Sequence, residues 1–135
     1  MANDVPVVRS IVAVAAGFFA SNVLSLGGDL LFRRVSPAAF DAQGFAHSDG
    51  TLFTVMGYEA LFVLIAGYVT ARLAIRRPMT HALAMGALVL LGRVPTALVA
   101  WSTAPPWFHI GVLLLILPLA LLGAKLSGLR ARAVQ

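Results

Sequence analysis

Four long apolar blocks, separated by short polar segments, dominate the hydrophobic pattern of this chain. The apolar residues run continuously rather than alternating with polar ones, which favours helices over the strands of a barrel. Each block approaches or exceeds the roughly 20 residues that a helix needs to cross a bilayer. The pattern therefore predicts an all-α integral membrane four-helix bundle with short loops, in one domain over residues 1–135. The predicted spans are residues 10–32, 51–75, 80–101 and 107–124.

The composition indicates that the bilayer is the solvent of this protein. Hydrophobic residues make up 60% and charged residues 11% of the chain, against about 45–50% and about 25% in soluble domains. A cleaved signal peptide is the competing interpretation of the first block, because Arg9 precedes an apolar run that contains small residues. The length of the run and the lack of a clear cleavage motif favour a retained helix.

The placement of the basic residues predicts the orientation in the membrane. The net charge is +5, and most Lys and Arg residues flank the spans on the side that holds both termini. Only Arg33 and Arg34 flank the spans on the other side. Because basic residues accumulate on the cytoplasmic side of a membrane, we predict a multi-pass membrane protein with cytoplasmic termini. Topology accounts for these charges, so we expect the lipid bilayer and no nucleic acid as a partner. The basic residues on the terminal side are Arg9, Arg72, Arg76, Arg77, Lys125, Arg130 and Arg132.

The residue types exclude several kinds of chemistry. The chain has no cysteine, which removes disulfides, thiolate metal sites and cysteine catalysis. Its three histidines fall at mismatched depths, so we expect no haem. Asp41, His47 and Asp49 could be imagined as a metal site, but solvated loop residues are the favoured interpretation. With no nucleophile–base pair or phosphate loop in the sequence, we expect no enzyme activity, no catalytic residue, no metal and no other cofactor.

One arginine, Arg93, lies well inside the third block. A charged side chain there costs roughly 2.5–3.5 kcal/mol on insertion scales, so it needs a partner. Glu59 in the second block lies at a matching depth, roughly 12 Å from the same end if each residue rises by about 1.5 Å. Because antiparallel helices joined by a short turn are neighbours, we predict that Glu59 and Arg93 face each other.

Further polar side chains are predicted to converge on the same half of the bundle. Those of the first span share one helix face, and polar residues that face lipid are costly. The predicted buried polar and ionic cluster consists of Asn22, Ser25, Asp29, Tyr58, Glu59, Arg93 and His109. Three interpretations stay open: an ion pair that holds the helices in register, a pocket for a small ligand, ion or proton, and a contact with a partner subunit.

Small residues at helical spacing predict where the helices approach each other closely. On the second span these positions are Gly57, Ala60, Gly67 and Ala71, and on the third span Gly86 shares a face with Arg93. Arg93 is therefore expected to face the other helices rather than lipid.

The segment around the second turn, residues 66–88, carries a recognisable pattern. A Gly-Tyr-x-x-Ala-Arg helix end precedes a basic turn and a His-Ala-x-x-x-Gly helix start. This pattern resembles one that recurs in a family of small uncharacterised bacterial four-helix inner-membrane proteins. The resemblance implies a bacterial protein of the cell inner (plasma) membrane and carries over no catalytic residue. The matching residues are Gly67, Tyr68, Ala71, Arg72, Arg76, Arg77, His81, Ala82 and Gly86.

Taken together, these features favour a small non-enzymatic integral membrane protein. We expect it to self-associate as a homo-oligomer or to serve as an accessory subunit of a larger membrane complex, because short loops leave little soluble surface and small-residue stripes favour helix association. The alternative is a small transporter or proton- or ion-coupled carrier that uses a buried pocket of Asp29, Glu59 and Arg93.

Overall fold

The computed structural model describes residues 4–46 and 48–133, and helices account for most of them. All four long helices are long and apolar enough to cross a membrane. This confirms the predicted all-α membrane four-helix bundle. The helices are α1 (Asp4–Val35), α2 (Asp49–Leu73), α3 (Pro78–Val99) and α4 (Pro106–Ala133), and single 3-10 turns cover Pro37–Ala39 and Trp101–Thr103.

The outer helices extend beyond the predicted spans. The fourth span was predicted to end at residue 124, because Lys125 follows it, yet α4 continues to Ala133. A charged residue ends the apolar stretch, but it does not end a helix whose long basic side chains can reach water. At the start of α3, Pro78 occupies the first helical position, where its missing N–H is no loss.

The two middle helices of the chain also form the middle of the bundle. α1 packs against α2 and α3, and α4 packs against the same two helices, so α1 and α4 lie at opposite edges. A charged side chain on α2 or α3 that faces inward is consequently enclosed by three helices. We call the end that holds residues 36–48 and 100–105 the loop end, and the end that holds both termini and residues 74–77 the terminal end.

Glycine brings α2 and α4 into backbone contact in the half nearer the terminal end. A Cβ on Gly67 would lie 2.2 Å from the carbonyl oxygen of Ala120, and one on Gly123 would lie 2.1 Å from that of Leu64. Since neither space admits a methyl group, only glycine allows this approach. The buried core beside this contact consists of Val63, Ala66, Met85, Val89, Ile116 and Ala120.

Most of the predicted packing positions lie at helix contacts, but Gly57 does not. Gly67, Ala71 and Gly86 are buried and Ala60 is half-buried. Gly57 is exposed, and a Cβ built there meets no atom within 4 Å, so its prediction is wrong. Successive helical residues turn by about 100°, and the inward direction of Glu59 therefore leaves Gly57, two positions earlier, on the far side of α2.

The loop between α1 and α2 begins with Ser36 and Pro37 and is compact. Ser36 makes no side-chain cap, and only one 3-10 turn forms. Residues 40–46 then reverse direction around Asp41, whose Oδ1 accepts hydrogen bonds from the backbone N–H groups of Gln43 (3.0 Å) and Phe45 (2.8 Å). The reversal folds the loop back over the loop end of the bundle.

Candidate functional site

Three helices meet at the predicted ion pair between Glu59 and Arg93. The Arg93 guanidinium of α3 pairs with the Glu59 carboxylate of α2. Arg93 Nη2 also donates to the Ser25 hydroxyl of α1 at 2.9 Å, and that hydroxyl donates to Glu59 Oε2 at 2.9 Å. Each member of this Ser25–Glu59–Arg93 triad is thus bonded to the other two.

The two charges of the triad are buried unequally. The Glu59 side chain is 7% exposed, whereas the Arg93 side chain is 33% exposed. A guanidinium has five donors, and the carboxylate and the hydroxyl engage only part of them. The triad therefore has a closed side at Glu59 and an accessible side at Arg93.

A second polar contact lies next to the triad, towards the loop end. The Tyr58 hydroxyl donates to Asp29 Oδ1, so α1 and α2 are joined again one helical turn beyond Ser25. Gly28 permits this approach, because a Cβ there would lie 2.6 Å from the Phe62 ring. Asp29 is therefore oriented by tyrosine, and its second carboxylate oxygen accepts no hydrogen bond from the described residues.

A cavity of about 300 Å³ opens beside these groups at the loop end. Every helix contributes a polar side chain to its lining, and much of the remaining wall is apolar and aromatic. The polar side chains with ionisable groups are Asp29, Arg33, Tyr58, Glu59, Arg93 and His109. The cavity ends at the triad, because Val63 and Val89, one turn deeper on α2 and α3, belong to the packed core.

His109 is the least satisfied of these side chains. It is 7% exposed, and its Nε2 atom has no hydrogen-bond partner among the described residues. The ring stacks on Trp101 with centroids 5.3 Å apart, so the imidazole is held by an aromatic contact rather than by a polar one. Leaving such a group unpaired in a buried site costs about 1–3 kcal/mol. A solute or a water in the cavity could supply the missing bond.

The loop after α1 forms the roof of the cavity. Phe40 packs edge-on against Phe32, and the Arg33 guanidinium lies 5.0 Å from the centroid of the Phe40 ring. Phe40 and Phe45 both line the cavity. The sequence pattern predicts Arg33 only as a charge that flanks the first span. Its position four residues after Asp29 nevertheless places both side chains on one face of a helix.

The structure brings together six of the seven residues of the predicted polar cluster. Ser25, Glu59 and Arg93 form the triad, Asp29 and Tyr58 form the adjacent pair, and His109 lines the same cavity. The inclusion of Asn22 in this buried cluster is wrong.

Asn22 is exposed, and its Nδ2 donates to the Phe18 carbonyl of its own helix at 2.8 Å. An i−4 backbone contact satisfies this amide locally, so it has no need to face the bundle.

The remaining candidate for a ligand set lies partly outside the described residues. His47 is not described, and Asp41 accepts the backbone hydrogen bonds of its own loop. Within residues 4–46 and 48–133, no three His, Asp or Glu side chains cluster as a metal site would require.

Comparisons with protein-family models, with curated proteins and with solved structures find no significant match to this chain. The functional argument consequently rests on the geometry of the cavity.

Proposed function

We propose that this chain is a non-enzymatic membrane protein that binds a small solute in the cavity at its loop end. The observation that carries the proposal is the His109 Nε2 atom, which lies in a cavity lined by charged groups and has no hydrogen-bond partner among the residues that the structure describes. Polar side chains within spans typically face a bundle interior or a water-filled cavity and mark the path or the site of a ligand. This proposal develops the pocket interpretation of the cluster rather than the purely structural one.

The unequal burial of the triad supports binding. A guanidinium that is only partly covered keeps N–H donors that can bond a ligand. Here one third of the Arg93 side chain is exposed, and Arg93 lines the cavity. Asp29 and His109 line it as well, although neither is bonded to Glu59. Together, these groups provide a surface that can recognise a polar solute.

The contacts of Ser25 support the non-enzymatic part of the proposal. Its hydroxyl is hydrogen-bonded to a carboxylate, which is the arrangement of a nucleophile and a base. However, the same carboxylate is already engaged in the ion pair with Arg93. Ser25 is also not among the described residues that line the cavity, so a solute there does not reach the hydroxyl.

A second candidate is self-association or service as an accessory subunit. Two features of the described helices favour it: Asn22 exposes an amide, and Gly57 exposes a bare backbone, both within spans. Amide side chains and small residues on a lipid-facing surface are typical of helix–helix association in membranes. The two candidates are compatible, because neither residue lines the cavity.

The proposal includes the location and the orientation. A bacterial inner membrane with both termini in the cytoplasm is supported by the family-like pattern at residues 66–88 and by the basic residues of the terminal end. In that orientation the cavity opens on the side of the membrane away from the cytoplasm. A carrier function would additionally require a second conformation in which the core around Met85 opens.

Cysteine labelling tests the hydrated cavity and the orientation together. The chain has no native cysteine, so Ala97→Cys, which lines the cavity, reports on one position only. The matched control is Leu98→Cys, where the native leucine is 67% exposed on the lipid side of the same helix. A membrane-impermeant maleimide added to intact cells should label the first variant and leave the second unlabelled.

Each contrary result has a defined meaning. Labelling of Ala97→Cys only after permeabilisation would reverse the orientation and keep the cavity. If folded Ala97→Cys protein resists labelling from both sides, water does not fill the cavity and the proposed function fails.

A further inference from the structure

The cavity at the loop end has two charges at its mouth that are not paired with each other. Asp29 is held by Tyr58, and Arg33 lies over Phe40. They lie four residues apart on α1, a spacing at which Cβ atoms are separated by about 5–6 Å. Within the described residues the one ion pair recorded at this end joins Arg93 to Glu59. The mouth therefore presents a carboxylate and a guanidinium side by side.

The charges of the cavity also cancel. Asp29 and Glu59 oppose Arg33 and Arg93, and all four line the cavity. A ligand with a net charge would leave one unit uncompensated beside the low-dielectric interior of the bundle, which is unfavourable. A ligand that carries one charge of each sign avoids this cost and can address both groups at the mouth.

The rest of the wall defines the body of the ligand. Leu52, Val55, Phe108 and Leu113 line the cavity below the roof, and they offer contact to an apolar group rather than to a second polar one. The volume of about 300 Å³ is at the lower end of the range of about 300–1,000 Å³ found for small-molecule sites. The space suits a molecule of the size of an amino acid with a large side chain.

Resting on the proposed solute-binding function, we infer that the cavity binds a small zwitterion with an apolar body, with its ammonium group at Asp29 and its carboxylate at Arg33. An α-amino acid with an apolar side chain has this chemistry. A zwitterionic lipid headgroup shares the pairing of opposite charges, with a phosphate in place of the carboxylate. His109 lies at the opposite wall and can bond a further polar group or a water.

A matched series of aromatic probes separates the charge requirement from simple apolar binding. L-phenylalanine is a zwitterion, phenethylamine a cation, 3-phenylpropionate an anion and phenethyl alcohol neutral, and all carry the same ring. Binding to the purified full chain in mild detergent can be followed by the fluorescence of Trp101, which stacks on His109. Trp107→Phe removes the other tryptophan. We expect L-phenylalanine to bind at least tenfold more tightly than each of the three other probes.

Two variants and one control assign the charges to residues. Arg33→Gln should weaken the binding of L-phenylalanine about tenfold, so that phenethylamine binds more tightly than L-phenylalanine. Asp29→Asn should also weaken the binding of L-phenylalanine, but here 3-phenylpropionate should bind more tightly than L-phenylalanine. Arg34→Gln removes the neighbouring exposed charge that does not line the cavity, and it should leave all four affinities unchanged. Because Arg33 is exposed, its variant remains informative even if Asp29→Asn fails to fold.

Further probes distinguish the source of the ligand. Tighter binding of glycerophosphoethanolamine than of L-phenylalanine would support the pairing of opposite charges, assign the site to a lipid headgroup and overturn the apolar body of the inferred ligand. Equal binding of phenethyl alcohol and L-phenylalanine, or loss of L-phenylalanine binding in Arg34→Gln as much as in Arg33→Gln, would overturn the inference. The proposed function would survive those results, since the labelling of Ala97→Cys tests the hydrated cavity independently.

Discussion

The two halves of this bundle use the same four helices in opposite ways. Towards the terminal end, glycines at positions 67 and 123 allow α2 and α4 to touch through their backbones, and buried apolar side chains fill the remaining space. Towards the loop end, aromatic and charged side chains replace the small ones, and a cavity of about 300 Å³ remains.

The Ser25–Glu59–Arg93 triad lies at the boundary between these halves. Its carboxylate is enclosed on the side of the packed core, and its guanidinium is accessible from the cavity. Small side chains thus allow a closely packed half, whereas large and polar ones leave a half with an open cavity. The following experiments test whether each half depends on the residues to which we assign it.

Breaking the triad should have the largest effect, because it strands a charge at the boundary. Removing one partner of a buried pair costs about 3–5 kcal/mol. Arg93→Leu should be more damaging than Glu59→Gln, since it leaves an enclosed carboxylate, whereas the arginine that Glu59→Gln leaves behind can reach the cavity. Unfolding of the purified variants in detergent measures both free energies.

The double variant that combines Glu59→Gln and Arg93→Leu completes a double-mutant cycle. It should be much less destabilised than the sum of the single changes, because no stranded charge remains. Additive effects would show that Glu59 and Arg93 do not depend on each other.

Overfilling the closed half should have the next largest effect. Gly67→Ala places a methyl group 2.2 Å from the Ala120 carbonyl oxygen, and overpacking of this kind costs about 1–3 kcal/mol. The matched control is Gly57→Ala on the same helix, which meets no atom within 4 Å and should be neutral or stabilising. Thermal unfolding of the two variants compares them directly, and equal destabilisation would contradict the α2–α4 contact.

Replacing His109 tests whether the half with the cavity holds a buried polar group that no other protein group stabilises. His109→Phe removes an unpaired buried nitrogen and keeps an aromatic contact with Trp101. We expect an unchanged or higher free energy of unfolding, by up to about 1 kcal/mol, since no hydrogen bond to protein is lost. A loss of more than this amount would show that the histidine has a structural partner.

The smallest effect is expected on the lipid-facing surface. Asn22→Leu should leave the stability of the single chain nearly unchanged, because the amide bonds only to its own helix. If the chain self-associates through this surface, the variant should weaken the oligomer by about 0.6 kcal/mol, the average for interhelical hydrogen bonds in membranes. Förster transfer between labelled chains at several dilutions in lipid measures this change, and an unaltered oligomer would remove Asn22 from the interface.

The sequence by itself determined the number of helices and the depth of the charges. Apolar blocks of membrane length predict the spans, because the backbone can satisfy its hydrogen bonds in lipid only within helices. The pairing of Glu59 with Arg93 was also predictable, since a constant rise per residue places both at one depth and an uncompensated charge in a span is costly.

Only the tertiary structure decided which face of each helix turns inward. Gly57 and Gly67 are equivalent in the sequence, yet one faces lipid and the other meets α4. Asn22 fits the polar stripe of α1 but bonds to its own backbone. Arg33 reads as a flanking charge until the loop folds back and places Phe40 beneath it. The rotation of a helix about its axis is set by the sum of its contacts with all neighbours, and a pattern along one chain segment does not contain that sum.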